Sequence, residues 1–412
     1  MSLSDTSDSY GRVTRVIHWL TALLILSAFP LGYVAHQMSL SIETTSGTAQ
    51  ATLIARTAIL FSVHKTLGVA VVVVSLFRIA WGIAQPRPGL IRGSHRAEAL
   101  AAETVHYLLY TLLILVPVSG WVHHAATAGF APILWPLGQG LPFVPQSETV
   151  AALASGLHWI FAWSLALVLA LHIGGALKHH VIDRDATLRR MWRGEAAAPS
   201  PRQPGHAAPL ATATLLLALI AALGVSLTPA GPGAEAGQPP APGTIGAAST
   251  AGDWQVTDGR LGIEVTQFGN TVEGSFADWT AAITYDPEGT AGPVGHVTVQ
   301  VNVASLTLGS VTSQALGSDF LAAGDHPTAT FDAEILRQAD GSHVADGTLS
   351  LRGRQMPLSF PFALETDADG TAHASADLAL DRRDFGVGAS MADESTVAFT
   401  VATRWQLTAT PR

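Results

Sequence analysis

The 412-residue chain contains no cysteine. That excludes disulfides, thiolate ligands, cysteine-held iron–sulfur clusters and haem attached through Cys-x-x-Cys-His. Charge is also scarce: 13% of residues are charged and 48% are hydrophobic, an unusual balance for a soluble protein. What charge there is divides unevenly. Residues 1–249 hold 14 Lys and Arg against 10 Asp and Glu, a net of +4. Residues 250–412 hold 8 against 21, a net of −13. An acidic second half argues against nucleic acid as a partner.

What the sequence does have is long apolar runs. Five of them, at about 16–36, 63–84, 104–124, 155–177 and 209–228, reach or approach the ~20 residues that cross a bilayer. No cleavable signal peptide is expected: the first run is long enough to span, and residues 1–15, with Arg12 and Arg15, are polar. The cations set the topology. Arg12 and Arg15 precede the first run, and Arg78, Arg87, Arg92 and Arg96 lie near or between the second and third. Lys178, Arg184, Arg189, Arg190, Arg193 and Arg202 lie between the fourth and fifth. The opposite loops carry Arg56 and Lys65 around 37–62 and none in 125–154. The N-terminus is therefore expected in the cytoplasm. Residues 229–412 are then outside, in the periplasm of a Gram-negative cell, with the spans in its inner membrane.

The stretch 37–61 reads as an outer loop with some helical character, 85–103 as a basic inner loop, and 125–154 as a Pro- and Gly-rich outer loop. A short polar linker covers 193–208. Residues 229–250, "PAGPGAEAGQPPAPGTIGAAST", form a flexible, semi-extended tether. After it the period changes to two. "RLGIEVTQFG", "TVEGSFADWTAAITYD", "GHVTVQVNVASL", "PTATFDAEIL", "HVADGTLSLRG", "MPLSFPFAL", "AHASADLAL" and "STVAFTVATRWQLTA" predict about eight antiparallel strands, a barrel or sandwich. The 309–325 segment reads as a short helical excursion.

Histidines stand inside the apolar runs. His18 is near the inner end of the first, and His64 is near the outer end of the second. In the fourth, "LASGLHWIFAWSLALVLALHIGGALKHH" places His158 near the outer end and His172 near the inner end. Fourteen residues at ~100° each return to within about 40° of the start, after a rise of roughly 21 Å. Both rings thus share one helix face at two depths. Each depth has one matching ring elsewhere: His18 with His172, and His64 with His158. Two imidazoles facing each other in an apolar bundle suit bis-histidine haem. Packed polar residues hydrogen-bonded between helices are the other reading. Zinc fits less well, since each level offers two histidines and no third ligand.

Arg78 and His106 stand near the inner level, as partners for a haem propionate or a quinone; snorkelling for Arg78 and packing for His106 are the alternatives. His123 and His124, at the outer end of the third run, border a quinone site or are simply solvated. His36, His95, His179, His180 and His206 read as interfacial or solvated.

Residues 9–190 resemble the bacterial diheme cytochrome b561 family. The resemblance rests on "YGRVTRVIHWL", "VHKTLGVAVVVVSLFRIAW", "AETVHYLLYTLLILVPVSGW" and "LHWIFAWSLALVLALHIGGALKHH". It implies two b haems with axial ligands His18, His64, His158 and His172, and electron exchange with quinone. The b subunits of nickel–iron hydrogenases are similar four-helix diheme proteins. Trp81-Gly82 follows Arg78 where the family often has Trp-Arg, which weakens a specific propionate role on that side.

Residues 253–409 resemble the YceI family of lipocalin-like barrels that bind polyisoprenoid chains. The matching segments are "FGNTVEGSFADWTAAITYDPE", "SDFLAAGDHPTATFDAEI", "DGTLSLRGRQMPLSFPFAL" and "ALDRRDFGVG". The family's usual His-Ser before its first long strand is replaced by "WQVTDGRLGIEV". An eight-stranded barrel can hold one slender apolar ligand. Phe268, Phe276, Trp279, Phe320, Phe331, Phe360 and Phe385 are the candidate lining. Arg382, Arg383 and Asp384 read as a turn after a strand, solvated rather than gating the mouth, and His296, His326, His343 and His373 as scattered and exposed. No nucleophile–base set is evident.

The expected architecture is thus multidomain. An all-α transmembrane four-helix diheme bundle (9–193) and an extra transmembrane helix (209–228) precede the tether and an all-β antiparallel lipocalin-like barrel (253–409). The expected role is electron transfer between the quinone pool, ubiquinone or another isoprenoid quinone, and an outer donor or acceptor such as a periplasmic redox partner. The barrel would bind a quinone or other polyprenoid. The alternative is a lipid carrier whose membrane part is an anchor or redox sensor. Either is compatible with an oligomer.

Overall fold

Uncharged runs of Leu, Ala and Val become helices because a helix satisfies every backbone group without water. The computed structural model describes all residues except 1, 43, 46, 128–130, 229–251, 310, 392 and 395. The proposed tether lies outside the described residues. The helices are α1 (Arg12–Leu40), α2 (Gly47–Ala84), α3 (Arg96–Ala126), α4 (Glu148–Val181), α5 (Thr187–Arg193) and α6 (Ala207–Leu227). Five of them, all but α5, are long and apolar enough to cross a membrane. The segment 37–61, expected as an outer loop with some helical character, is mostly helix. "TAQATLIARTAILF" carries no proline or glycine to stop α2, so its 38 residues outrun a bilayer.

Contacts divide the chain into two units. One comprises Met1–Ala35, Leu60–Thr127 and Ile133–Ala234. Its core joins Ile25, Val71, Leu112, Phe161, Leu165 and Ala213, from five different helices. The extra helix α6 approaches α4 through glycine: a Cβ at Gly224 would stand 2.7 Å from Ile160 Cγ2. At the end where α4 closes, Arg92 reaches Asp183 at 2.5 Å and Lys178 pairs with Glu98 and Asp183. The Arg92 and Lys178 hydrogen bonds hold the Asp183 carboxyl down at about 2.

The second unit comprises His36–Ile59, Ala128–Pro132 and Glu235–Arg412. Its strands are β1 (Trp254–Gln267), β2 (Asn270–Phe276), β3 (Trp279–Tyr285), β4 (Gly292–Asn302), β5 (Leu306–Thr307), β6 (Thr328–Arg337), β7 (His343–Leu351), β8 (Arg354–Thr366), β9 (Ala372–Asp381) and β10 (Val397–Pro411). They form one antiparallel sheet closed by β10 on β1. The run "TVEGSFADWTAAITYD", expected as one strand, breaks at Ala277–Asp278 into β2 and β3, both laid along β1. Asp278 accepts from Asn302 at that break, at 2.9 Å. Counting β2 and β3 as one staves the barrel with eight strands, plus the two-residue β5. The 309–325 excursion contains a short helix, α7 (Thr312–Leu316). Ile42 and Ile54 are buried with Phe320, Met391 and Val397, so the α1–α2 connection and the start of α2 belong to this second unit.

Candidate functional site

In the first unit, α1 and α4 bring His18 to His172, and α2 and α4 bring His64 to His158. Both pairs have ring centroids 6.1 Å apart. A metal–imidazole bond is ~2.0 Å long, so two rings sharing one iron have centroids about 6 Å apart. The spacing fits a metal-bridging pair at each level.

The His64–His158 level shows how sequence builds such a site. His64 Nδ1 lies 2.8 Å from the Ala28 carbonyl, and His158 Nδ1 lies 2.8 Å from the Val116 carbonyl. An Nδ1–H donated to a carbonyl leaves Nε2 free for iron. Four residues after each carbonyl stands a glycine. A Cβ at Gly32 would be 2.5 Å from the His64 ring, and one at Gly120 would be 2.9 Å from the His158 ring. Each ring therefore packs on bare backbone beside a proline in the helix, Pro30 or Pro117.

The His18–His172 level is more polar. Arg78 Nη2 is 3.2 Å from His18 Nδ1, and its guanidinium lies over the Tyr110 ring at 5.3 Å. His106 packs edge-on to His172 at 5.1 Å and bonds the Ala102 carbonyl. Arg78 and His106 thus flank this level, as candidates for an anionic or oxygen-bearing group. Beside the other level, His123 and His124 stand with two residues that the sequence did not assign to a site, Lys65 and Gln139. Lys65 Nζ is 3.2 Å from His124 Nδ1, His124 Nε2 faces Gln139 Oε1 at 3.1 Å, and His123 bonds the Ala151 carbonyl. The adjacency of Lys65 to His64 was the available signal.

The barrel encloses an almost wholly apolar cavity of about 340 Å³. Phe276, Trp279, Phe320, Phe331, Phe360 and Phe385 line it. Phe268 does not. It occupies the β1–β2 turn with φ 48° and packs beside Met391 and Val397. A file of rings follows the wall: Phe331 meets Phe360 at 5.5 Å, Phe360 meets Trp405 at 6.3 Å, and Trp405 meets Phe362 at 6.0 Å. Two of the residues lining the cavity, Trp279 and Gln314, carry buried donors, Nε1 and Nε2, with no hydrogen-bond partner among the described residues.

Two further expectations for the barrel are corrected. His343 is buried, not exposed, and lies 3.1 Å from the Tyr285 hydroxyl with Arg337 beside it. Arg382 is also buried, not part of a solvated turn, and donates to five backbone carbonyls. Burial first, then Arg337, pushes the His343 imidazole below its ordinary value. An unfolded chain takes up that proton near pH 6.5 while the folded barrel resists it. Stability from this residue is therefore complete above pH 6.5 and declines as pH falls below it. In thermal melts of the full chain at pH 7.5 and 5.0, His343→Phe should narrow the difference; an unchanged difference would exclude His343 as its source.

Two levels of paired imidazoles thus stand among helices long and apolar enough to cross a membrane, and a closed barrel with a ligand-sized cavity follows in the chain. Residues 9–194 match the prokaryotic cytochrome b561 family model, and residues 254–407 match the YceI-like domain model. The first part is thus similar to the prokaryotic cytochrome b561 family and the second to the YceI-like family.

Cytochrome b561 homolog 2 of Escherichia coli (strain K12) is 29% identical over 192 residues, 46% of this chain and 95% of that one. A probable superoxide oxidase of Yersinia pestis is 27% identical over 130 residues, 31% of this chain and 72% of that one. Among solved structures, BcnA of Burkholderia cenocepacia is 26% identical with a TM-score of 0.35, covering 37% of this chain and 96% of its own. A polyisoprenoid-binding domain of Saccharophagus degradans is 13% identical with a TM-score of 0.32, covering 39% and 99%.

Proposed function

We propose that the protein carries electrons through the membrane on two b haems, one held by His18 and His172 and one by His64 and His158. The barrel accepts the chain of an isoprenoid quinone or related polyprenoid. The single observation carrying this reading is the 6.1 Å spacing at both levels. Bound haem supplies one-electron chemistry at iron. The remaining work belongs to the chain. Ala28 and Val116 carbonyls orient two of the four rings, and apolar helix faces exclude water. Arg78 offers a positive partner to a carboxylate at its level, and the Lys65–His124–Gln139 cluster offers polar groups to a quinone or anionic electron donor at the other. On the distribution of cations, the N-terminus is cytoplasmic and the barrel periplasmic.

The test is a reduced-minus-oxidised spectrum of the purified full chain with haem quantitation, then reduction by a quinol and by superoxide. Two b haems per chain and rapid reduction by either donor support the reading. Absence of haem leaves a membrane-anchored lipid carrier.

A lipid oxygen brought to the buried Trp279 or Gln314 donor would supply the partner that it lacks among the described residues. Losing one neutral hydrogen bond costs about 1 kcal/mol, or about five-fold. Trp279→Phe should thus weaken binding of ubiquinone by about that factor while leaving squalene, which has no oxygen, unaffected. Equal effects on both lipids would assign Trp279 to packing alone.

A further inference from the structure

One seam of the barrel wall is open. β7 pairs with β8 through nine residues, His343–Leu351 against Arg354–Phe362, and β9 pairs with β10 through ten. Between β8 and β9 the ladder covers only four pairs, from Ala363 with Ser375 to Thr366 with Ala372. Beyond that fork, Gln355–Phe362 and Ala376–Asp381 are not laddered to each other.

The cause is written in β8, "RQMPLSFPFALET". Pro357 and Pro361 both sit inside the β7 ladder, opposite Thr348 and Val344. A proline has no N–H, and in an antiparallel strand successive residues direct their bonds to opposite neighbours. Within an intact β7 ladder, these two nitrogens belong to the side facing β9. Two of the donors that would close the seam therefore do not exist.

The window has defined limits. At one end is the Ala363–Ser375 pair. At the other, Arg352 donates to the carbonyls of Ser318, at 2.7 Å, and Gly386, and Arg354 reaches the Asp384 carbonyl at 3.4 Å. At the fork, an outer depression bordered by Pro361 and Asp377 shares two residues with the inner cavity: Phe362 and Trp405. Their rings are 6.0 Å apart. They form the partition between outside and lumen.

We propose that this window is a side entrance through which the isoprenoid chain passes into and out of the lumen, with Phe362 and Trp405 as its gate. The proposal rests on the reading of the lumen as a lipid site. The prolines decide the occupant. An added peptide strand would meet two missing donors on β8, whereas a hydrocarbon chain needs none and gains by leaving water.

The test uses the full-length protein in detergent. Because the chain has no cysteine, Ser359→Cys with Asp377→Cys places the only thiols on the exposed rims of the window. They are bridged with a reductively cleavable bis-maleimide, and exchange of bound ubiquinone-8 for its deuterated form is followed by mass spectrometry. Bridging should slow exchange by about ten-fold or more at unchanged final occupancy, and reductant should restore it. Phe362→Ala should accelerate exchange without a bridge. Exchange as fast in the bridged protein as in the open one, at equal occupancy, overturns the side entrance and leaves the lipid site standing. Failure of every form to take up ubiquinone-8 overturns both.

Discussion

Replacing His158 by alanine should lower the haem content of the purified chain from two to one and abolish electron flow across the bundle. His158 faces His64 at its level, 6.1 Å between centroids, and the neighbouring His123 is engaged with the Ala151 carbonyl. The His18–His172 pair, fourteen residues along α4, should keep its haem. Gly120→Ala should give nearly the same loss without touching a ligand. Its Cβ would stand 2.9 Å from two atoms of the His158 ring, a separation that forces the ring off the Val116 carbonyl. Gly68→Ala is the matched control, because its Cβ would meet Pro117 at an ordinary 3.7 Å. Pyridine haemochrome assays and a redox titration read all three. Two haems in His158→Ala would refute the ligand assignment. Two in Gly120→Ala would show that the bundle adjusts around an added methyl.

Arg382→Ala should be the most damaging single change in the barrel. The guanidinium donates to Ala398, Val387, Gly388, Met391 and Val397 carbonyls at 2.8–3.2 Å. It ties the segment after β9 to the start of β10 and lies over Phe399 at 5.1 Å. Truncation leaves five carbonyls short of a partner in a buried place. Charged hydrogen bonds are worth about 1.5–3 kcal/mol each but do not add fully, so a loss of about 3–5 kcal/mol is expected. Thermal unfolding of the full chain, followed by β-sheet circular dichroism, measures it. Arg382→Lys should recover little, because one ammonium cannot span the positions a planar fork reaches. A melt unchanged in Arg382→Ala would mean that water replaces the side chain at no cost.

The corrections at His343 and Arg382 were within reach of strand parity. His343 shares its parity with Leu349 and Leu351, which line the lumen, and Arg382 shares that of Leu378 and Leu380. In an alternating strand, parity outweighs polarity when hydrogen-bond partners are supplied from elsewhere in the fold. Those partners are Tyr285 for His343 and the carbonyls of the 387–398 segment for Arg382. They are remote or irregular, and no local pattern announces them.

The sequence by itself determined the five membrane-length helices, the eight-strand period and the matching of histidines by depth. Each is a short-range property: hydrophobic run length, side-chain alternation, and helical rise between two positions. The tertiary structure alone decided that Gly32 and Gly120 receive the imidazole rings, that Lys65 meets His124, and that β8 parts from β9. The first two depend on which helix faces which, a choice made by packing across the whole bundle. The third needed the register of β7 on β8, which shows that Pro357 and Pro361 direct their missing donors toward β9 rather than toward an existing ladder.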